Sequence, residues 1–234
     1  MKLEMLLDSL FPLGHGCAVN GNVITGYCTA ETGKVSLIGA KNSAELDLEM
    51  LLRLSEHVLD TVANHPGCPI VMLVDSKGHK MGLQEELLGL NAYLAHLLKT
   101  LQLARMRGHH LVTIVYGWGW AGSFIAMGLT SDHIYSLEDA QVGEMTLKAM
   151  SRVTKIPLEK LEDLSENSPV FAPSAANFET LGGIDEIWSN DNLARKLAKA
   201  LSLTDREDKR YELAFERGGR TLSKPVIEKI LSEA

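Results

Sequence analysis

The chain has 234 residues, of which 45% are hydrophobic and 23% charged, so it falls in the globular range with material for one large domain or two small ones. A formal charge of −7, thinly spread, offers no basic surface, which argues against nucleic acid or anionic lipid as a partner. Cys17, Cys28 and Cys68 are odd in number and far apart, matching neither a disulfide framework nor a zinc-ligand spacing; a reducing cytoplasm and no metal are the expectations.

The opening MKLEMLLDSLFPLGHG mixes acidic residues into a short apolar stretch, unlike a secretory signal, and reads as a docking helix. NVITGYC (22–28) and KVSLIGA (34–40) are β-rich runs. SAELDLEMLLRLSEHVLDTVANH (43–65) has helical apolar spacing, with Ser43 as the expected N-cap. CPIVMLVDS (68–76) is a continuous apolar run, which predicts a buried strand, and GLQEELLGLNAYLAHLLKTLQLARMR (82–107) predicts one long amphipathic helix.

From Leu111 to Leu129 no residue is charged, which raises the question of a membrane span. The texture favours a soluble strand, turn and helix: LVTIVY is β-branched, Gly117, Gly119 and Gly122 are expected to break it, and SFIAMGL follows. DHIYSLE (132–138) and EIWSN (186–190) predict two more strands, the latter at an edge. The tail from Asp191 is charged and helix-prone, with a break at Gly218-Gly219. Strands alternating with helices predict a largely parallel sheet covered on both faces.

Ligand sites in such sheets lie at the ends of central strands, which directs attention to VDSKGHKMG and YGWGWAGSFIAMGL. With Gly122 at a helix start, main-chain amides there lack intrahelical acceptors and sit at the positive end of the helix dipole, a ready oxyanion site. Two other readings stay open: the glycines permit close packing only, or GWGWAG is a dinucleotide fingerprint, weakened by its position after a late strand. Trp118 and Trp120 are expected as pocket walls or plain packing. Ser123 reads as a helix N-cap rather than a nucleophile, since AGSFI lacks the G-x-S-x-G elbow. His109-His110 reads as a solvated turn, Asp75 and Asp132 as loop-orienting residues, Glu85-Glu86 as an exposed helix face, and Met145 and Met150 as core fillers.

The run PIVMLVDSKGHKMGLQEELLGL, followed by VYGWGWAGSFIAMGLTSDHIYSLEDAQVGEM, resembles the carboxyltransferase branch of the crotonase superfamily. With GKVSLIGAKNS before and LGGIDEIW after, the resemblance is strongest to gamma subunits of biotin-independent malonate decarboxylases, across roughly residues 15 to 205. It implies an α/β crotonase-like (ClpP/crotonase) fold of repeated ββα units on residues 1–205, with a helical C-terminal tail over 206–234 packed on the domain or a partner.

The resemblance also implies an oxyanion hole with its first donor at Gly78 or His79 and its second at Gly122, next to Ser123, while Gly119, Trp118 and Trp120 shape the substrate's approach. The glutamates of enoyl-hydratase relatives would fall at Ile125 and Thr146, and Glu144 is out of register, so hydration is not expected. Decarboxylation of a malonyl thioester needs no base to begin: it needs the developing negative charge stabilised and water kept off the carboxylate. His79 or water then protonates the enolate. Further implications are a homologous beta-type partner subunit, an acyl carrier protein whose dephospho-coenzyme-A-derived arm carries the malonyl group, and no cofactor held by this chain. Whether the hole takes the enolate oxygen or the departing carboxylate is open, with the expectation that it lies across the interface from the thioester. Carboxyl transfer to biotin and a non-catalytic scaffold are the competing functions.

Overall fold

A computed structural model describes residues 1–167, 174–219 and 221–233. Helix α1 (Leu3–Leu10) buries Leu6, Leu7 and Leu10, as its leucine spacing predicts. It leads into an antiparallel meander of β1 (His15–Asn20), β2 (Val23–Ala30) and β3 (Gly33–Ala40). A short strand β4 (Ala44–Leu46) precedes α2 (Leu48–Asn64), and β5 (Ile70–His79) is followed by two helices, α3 (Leu83–Leu87) and α4 (Leu90–Met106). Then come β6 (Leu111–Trp120), the single turn α5 (Ala121–Ser123) widening into a π-helical turn over Phe124–Gly128, β7 (His133–Leu137) and β8 (Gln141–Gly143).

Helices α6 (Leu147–Thr154), α7 (Leu158–Asn167) and α8 (Ala175–Thr180) lead to β9 (Glu186–Trp188), after which α9 (Leu193–Leu201), α10 (Arg210–Glu216) and α11 (Lys224–Glu233) complete the chain. Among the described residues nine strands form one sheet, ordered β1-β2-β3-β5-β6-β7-β9, with β4 joined to β5 and β8 to β6. Every pairing from β3 onward is parallel, and β9 is the edge strand foreseen.

The sheet separates two apolar clusters. On one face Leu51, Leu54 and Val58 of α2 and Leu97, Leu101 and Ala104 of α4 pack on Ile70, Met72 and Val74. On the other, α1 and α9 pack on Val71 and Leu73. The alternation along β5 is the two-residue period of a strand covered on both sides, which is why the run reads as continuously apolar.

Four expectations are corrected here. Ser43 does not cap α2; Asp47 does, its carboxylate accepting from the Met50 amide at 2.9 Å, while Asn42 and Ser43 turn the chain at φ 62 and 51 into β4. The 82–107 segment is not one helix, since Gly89 at φ 80 divides α3 from α4. Gly117 and Gly119 do not end β6, which continues through Trp120 because β8 supplies new ladder partners. His109 and His110 are buried rather than solvated; a His109 ring nitrogen bonds the Cys68 carbonyl at 2.7 Å, and His110 stacks edge-on against His133.

The tail folds back onto the preceding residues. Arg217 donates to the carbonyls of Glu179, Ile184 and Asp185, Arg210 donates to that of Leu129, and Ala214 is buried. Beyond Gly218, at φ 77, α11 contributes no buried residue.

Candidate functional site

β5 and β6 each bend midway. They pair from Ile70 and Leu111 to Val74 and Val115, then the register shifts and resumes at Ser76 opposite Gly119. Past that bulge β5 acquires β4 as a neighbour and β6 acquires β8, so the strand ends run on with new ladder partners. The bulge leaves backbone donors without ladder partners, and Asp75 takes them up. Its carboxylate accepts from the Trp118 amide at 2.9 Å, the Ser43 amide at 3.0 Å and the Ser43 hydroxyl at 3.2 Å. Gly117 is required beside it, because a Cβ there would lie on the carboxylate. The expected loop-orienting role of Asp75 thus has a definite form, and Asp132 has the same one, accepting from the Leu111 amide and from Arg105.

The two extended ends face each other. A Cβ on Gly78, whose φ is 112, would lie 3.3 Å from the Cβ of Ala121, and a Cβ on Gly122 would lie 2.8 Å from Nδ1 of His79. The Gly78 amide is engaged by the Ser76 hydroxyl at 3.2 Å, and that hydroxyl donates to the Gly78 carbonyl at 3.1 Å. Of the two residues expected to supply the first amide, Gly78 is therefore the one whose N–H is already engaged. Gly122 is the second residue of α5, after Trp120 as N-cap and Ala121, so its amide is one of the first-turn donors that no helical carbonyl can reach.

The residue at the strand-to-helix corner is Ala121, at φ 48. A non-glycine residue in the left-handed region costs on the order of 1 kcal/mol or more and persists only where its surroundings impose it. Sequence reading missed it, since alanine carries no signal for positive φ. The position matters chemically: hydrolases place a nucleophile on such a corner, and here the corner presents a methyl group and backbone.

Ser123 does not cap α5, whose N-cap is Trp120. It is buried, and its hydroxyl is directed at the carbonyls of Trp120 at 2.7 Å and Ser76 at 3.3 Å, tying the end of β6 to that of β5. Trp118 and Trp120 lie with ring centroids 5.4 Å apart, Trp118 half-buried with the Lys77 ammonium over it at 5.1 Å, and Trp120 buried. Nδ1 of His79 and Nε1 of Trp120 are buried polar atoms without a hydrogen-bond partner among the described residues. Gly119 lets Val115 and Phe124 close in beneath the strand.

Around this site, Met81, Leu83, Leu87 and Leu88 are exposed, as is Ile125 on the π-helical turn. Thr146 caps α6 through the Ala149 amide and Glu144 is exposed, so neither stands in for a hydratase carboxylate. Glu85 is buried beside Lys80, at 2.6 Å, which holds its carboxyl below the ordinary range; Glu86 is exposed as expected. Met145 and Met150 are half-exposed rather than core.

A family model described as malonate decarboxylase gamma subunit matches residues 41–234. The malonyl-S-ACP:biotin-protein carboxyltransferase MADD of Malonomonas rubra is 38% identical over 122 residues, which is 51% of this chain and 42% of that protein, so the chain spans less than half the length of this relative. Among solved structures, a Pseudomonas malonate decarboxylase hetero-tetramer in complex with coenzyme A superposes with a TM-score of 0.81 at 20% identity, covering 98% of this chain and 97% of that one. The Pseudomonas MdcD-MdcE hetero-dimer gives 0.77 at 20% identity with the same coverage. The transcarboxylase 12S hexamer with hydrolysed methylmalonyl-coenzyme A bound gives 0.71 at 20%, over 85% of this chain and 39% of that one. These likenesses establish the fold as crotonase-like with a helical C-terminal tail, and the match over residues 41–234 shows that the chain belongs to the malonate decarboxylase gamma-subunit family.

Proposed function

We propose that this chain, joined to a homologous beta-type subunit, forms the carboxyl-facing half of a site that converts malonyl-S-acyl carrier protein to acetyl-S-acyl carrier protein and CO2. The observation that carries this reading is the meeting of the two bends, Gly78 and His79 on one lying against Ala121 and Gly122 on the other around an alanine corner. In this reading the Ser76 and Ser123 hydroxyls, directed at carbonyls, and the Asp75 carboxylate, taken up by the Ser43 and Trp118 amides, hold the bends in place and take no part in the bond change. Such a site suits a reaction in which a bond breaks by itself once the charge is oriented.

In this reading the malonyl carboxylate lies against the amides of His79 and Gly122, and the partner subunit holds the thioester across the interface. The amides set direction: with the carboxyl plane turned across the thioester plane, the electron pair of the breaking carbon–carbon bond flows into the carbonyl and CO2 departs. His79, its Nδ1 buried beside Gly122, then donates a proton from Nδ1 to the enolate carbon from the side that CO2 vacated, while Nε2 takes up a proton from water, so that the ring ends neutral and the one proton the reaction consumes comes from solvent. Trp118 and Trp120 keep the approach dry, with the carrier protein's dephospho-coenzyme-A-derived arm reaching in as part of the substrate.

The exposed apolar group of Met81, Leu83, Leu87 and Leu88 supports a partner covering this side. The Pseudomonas relative, described as an MdcD-MdcE hetero-dimer, supports a beta-type partner. Among the described residues no helix is long and apolar enough to cross a membrane, and we place the complex in the cytoplasm. The name of the Malonomonas relative favours a second reading, carboxyl transfer to biotin.

The test is the purified two-subunit complex with malonyl thioester and no biotin protein. Release of CO2 and acetyl thioester supports decarboxylation; turnover only when biotin is supplied supports transfer. A structure with a malonyl-thioester analogue whose thioester carbonyl lay on Gly122 would overturn the assignment of this chain to the carboxyl side.

A further inference from the structure

β1 forms one edge of the sheet, and Cys17 is half-buried between residues that are all exposed. Its sulfur lies 3.2 Å from that of Cys28, which is buried on β2. The register sets Cys17 opposite Gly26 and His15 opposite Cys28, so the two thiols are diagonal neighbours across the ladder. Gly26 makes this approach feasible: a Cβ there would come within 2.7 Å of the Cys17 Cα and 2.5 Å of the Gly16 carbonyl oxygen. With bare backbone opposite it, the Cys17 side chain has room to lean along β2 toward Cys28. Both cysteines rest on the cluster that receives Leu6, Leu7 and Leu10 of α1. The two cysteines that the sequence separates are therefore brought into contact by one hairpin.

The pair is chemically unequal. The hydrogen bond from Cys28, with His15 adding to it, draws the Cys17 thiol below its ordinary value, while the same bond and burial push Cys28 well above. The more accessible sulfur is thus the better nucleophile, and the buried one is held beside it as a protonated thiol. Cys68 differs, its thiol directed at the carbonyls of Lys34 and Pro69.

We propose that Cys17 and Cys28 form a peroxide-responsive thiol pair that closes to an intrachain disulfide and staples the edge strand β1 to β2. The Cys17 thiolate attacks one oxygen of hydrogen peroxide. The O–O bond breaks, hydroxide leaves and takes up a proton as water, and Cys17 becomes a sulfenic acid. Cys28 gives up its proton as its sulfur attacks that of Cys17, the S–O bond breaks and a second water departs. The two sulfurs together lose two electrons, and peroxide is reduced to two waters.

No Lys or Arg lies between Lys2 and Lys34, so trypsin leaves both cysteines in one peptide spanning 3–34. After mild peroxide treatment of the full native chain, that peptide is expected to lose the mass of two hydrogens while Cys68 keeps its thiol. Cys28→Ser should arrest the reaction at a Cys17 sulfenic acid trapped by dimedone, and Cys17→Ser should leave the peptide unoxidised. Amide exchange across 15–20 should slow in the oxidised chain. Preferential oxidation of Cys68, disulfides linking separate chains, or equally fast oxidation of Cys28 in the Cys17→Ser chain would each overturn the proposal.

Discussion

Nδ1 of His79 lies 2.8 Å from where a Cβ on Gly122 would stand, so the imidazole occupies the space that the missing side chain leaves. The contact welds the ends of two strands into one surface. It also makes Gly122 sensitive to the smallest enlargement.

Under the proposed function, Gly122→Ala is expected to displace His79 and shift the backbone of the two bends, lowering the rate of CO2 release from malonyl thioester by roughly a hundredfold, the scale on which small misplacements act. The two-subunit complex should still assemble, as judged by size-exclusion chromatography. If the clash is the cause, adding His79→Ala should return the displaced backbone toward its place and recover amide-dependent binding of a malonyl-thioester analogue.

Ser123→Ala separates structure from chemistry. Its single hydroxyl hydrogen is shared between the Trp120 and Ser76 carbonyls, and among the described residues it meets no base, so removal should cost about 1–2 kcal/mol of stability, read as a lower urea midpoint. The catalytic rate should fall less than about tenfold, far from the loss expected on deleting a nucleophile. Complete inactivation with the fold intact would refute the main-chain reading of the site.

Asp75→Ala should be more damaging to the scaffold. It strips acceptors from the Ser43 and Trp118 amides at the bend of β5 and β6, at roughly 1–3 kcal/mol for each buried donor left unsatisfied. Thermal unfolding provides the measure, and Asp75→Asn, which retains one carbonyl oxygen, should fall between the two.

Burial lowers the affinity of His110 for protons from an ordinary 6.5 to about 4, with the Arg206 charge next in effect, and burial shifts His57 in the same direction. The unfolded chain therefore binds these protons first. Stability is full above about 6.5 and declines as pH falls toward about 4, with His110 contributing on the order of 2–3 kcal/mol across that window. Urea titrations at pH 7 and pH 5 should show the decline, and His110→Phe, which keeps a ring against His133, should flatten it. An unchanged slope would contradict the burial argument.

Periodicity was sufficient for what depends on local chemistry. The apolar run after Cys68 is β5 because β-branched residues without interruption suit a strand covered twice, and Leu6, Leu7 and Leu10 dock α1 by their spacing alone. The glycines at 78 and 122 were also legible as positions of close approach, because a φ of 112 at Gly78 and the His79 ring against Gly122 leave no place for a Cβ. Other features were not: Trp120 extends β6 only because β8 returns to pair with it, Ala121 takes a positive φ only because both flanking elements are anchored, and His110 is buried only because the chain folds over it. Local preference is set by each residue's own atoms, whereas strand extension, backbone strain and burial depend on segments distant in sequence. Only the assembled sheet could determine that His79 meets Gly122 and that Cys17 meets Cys28.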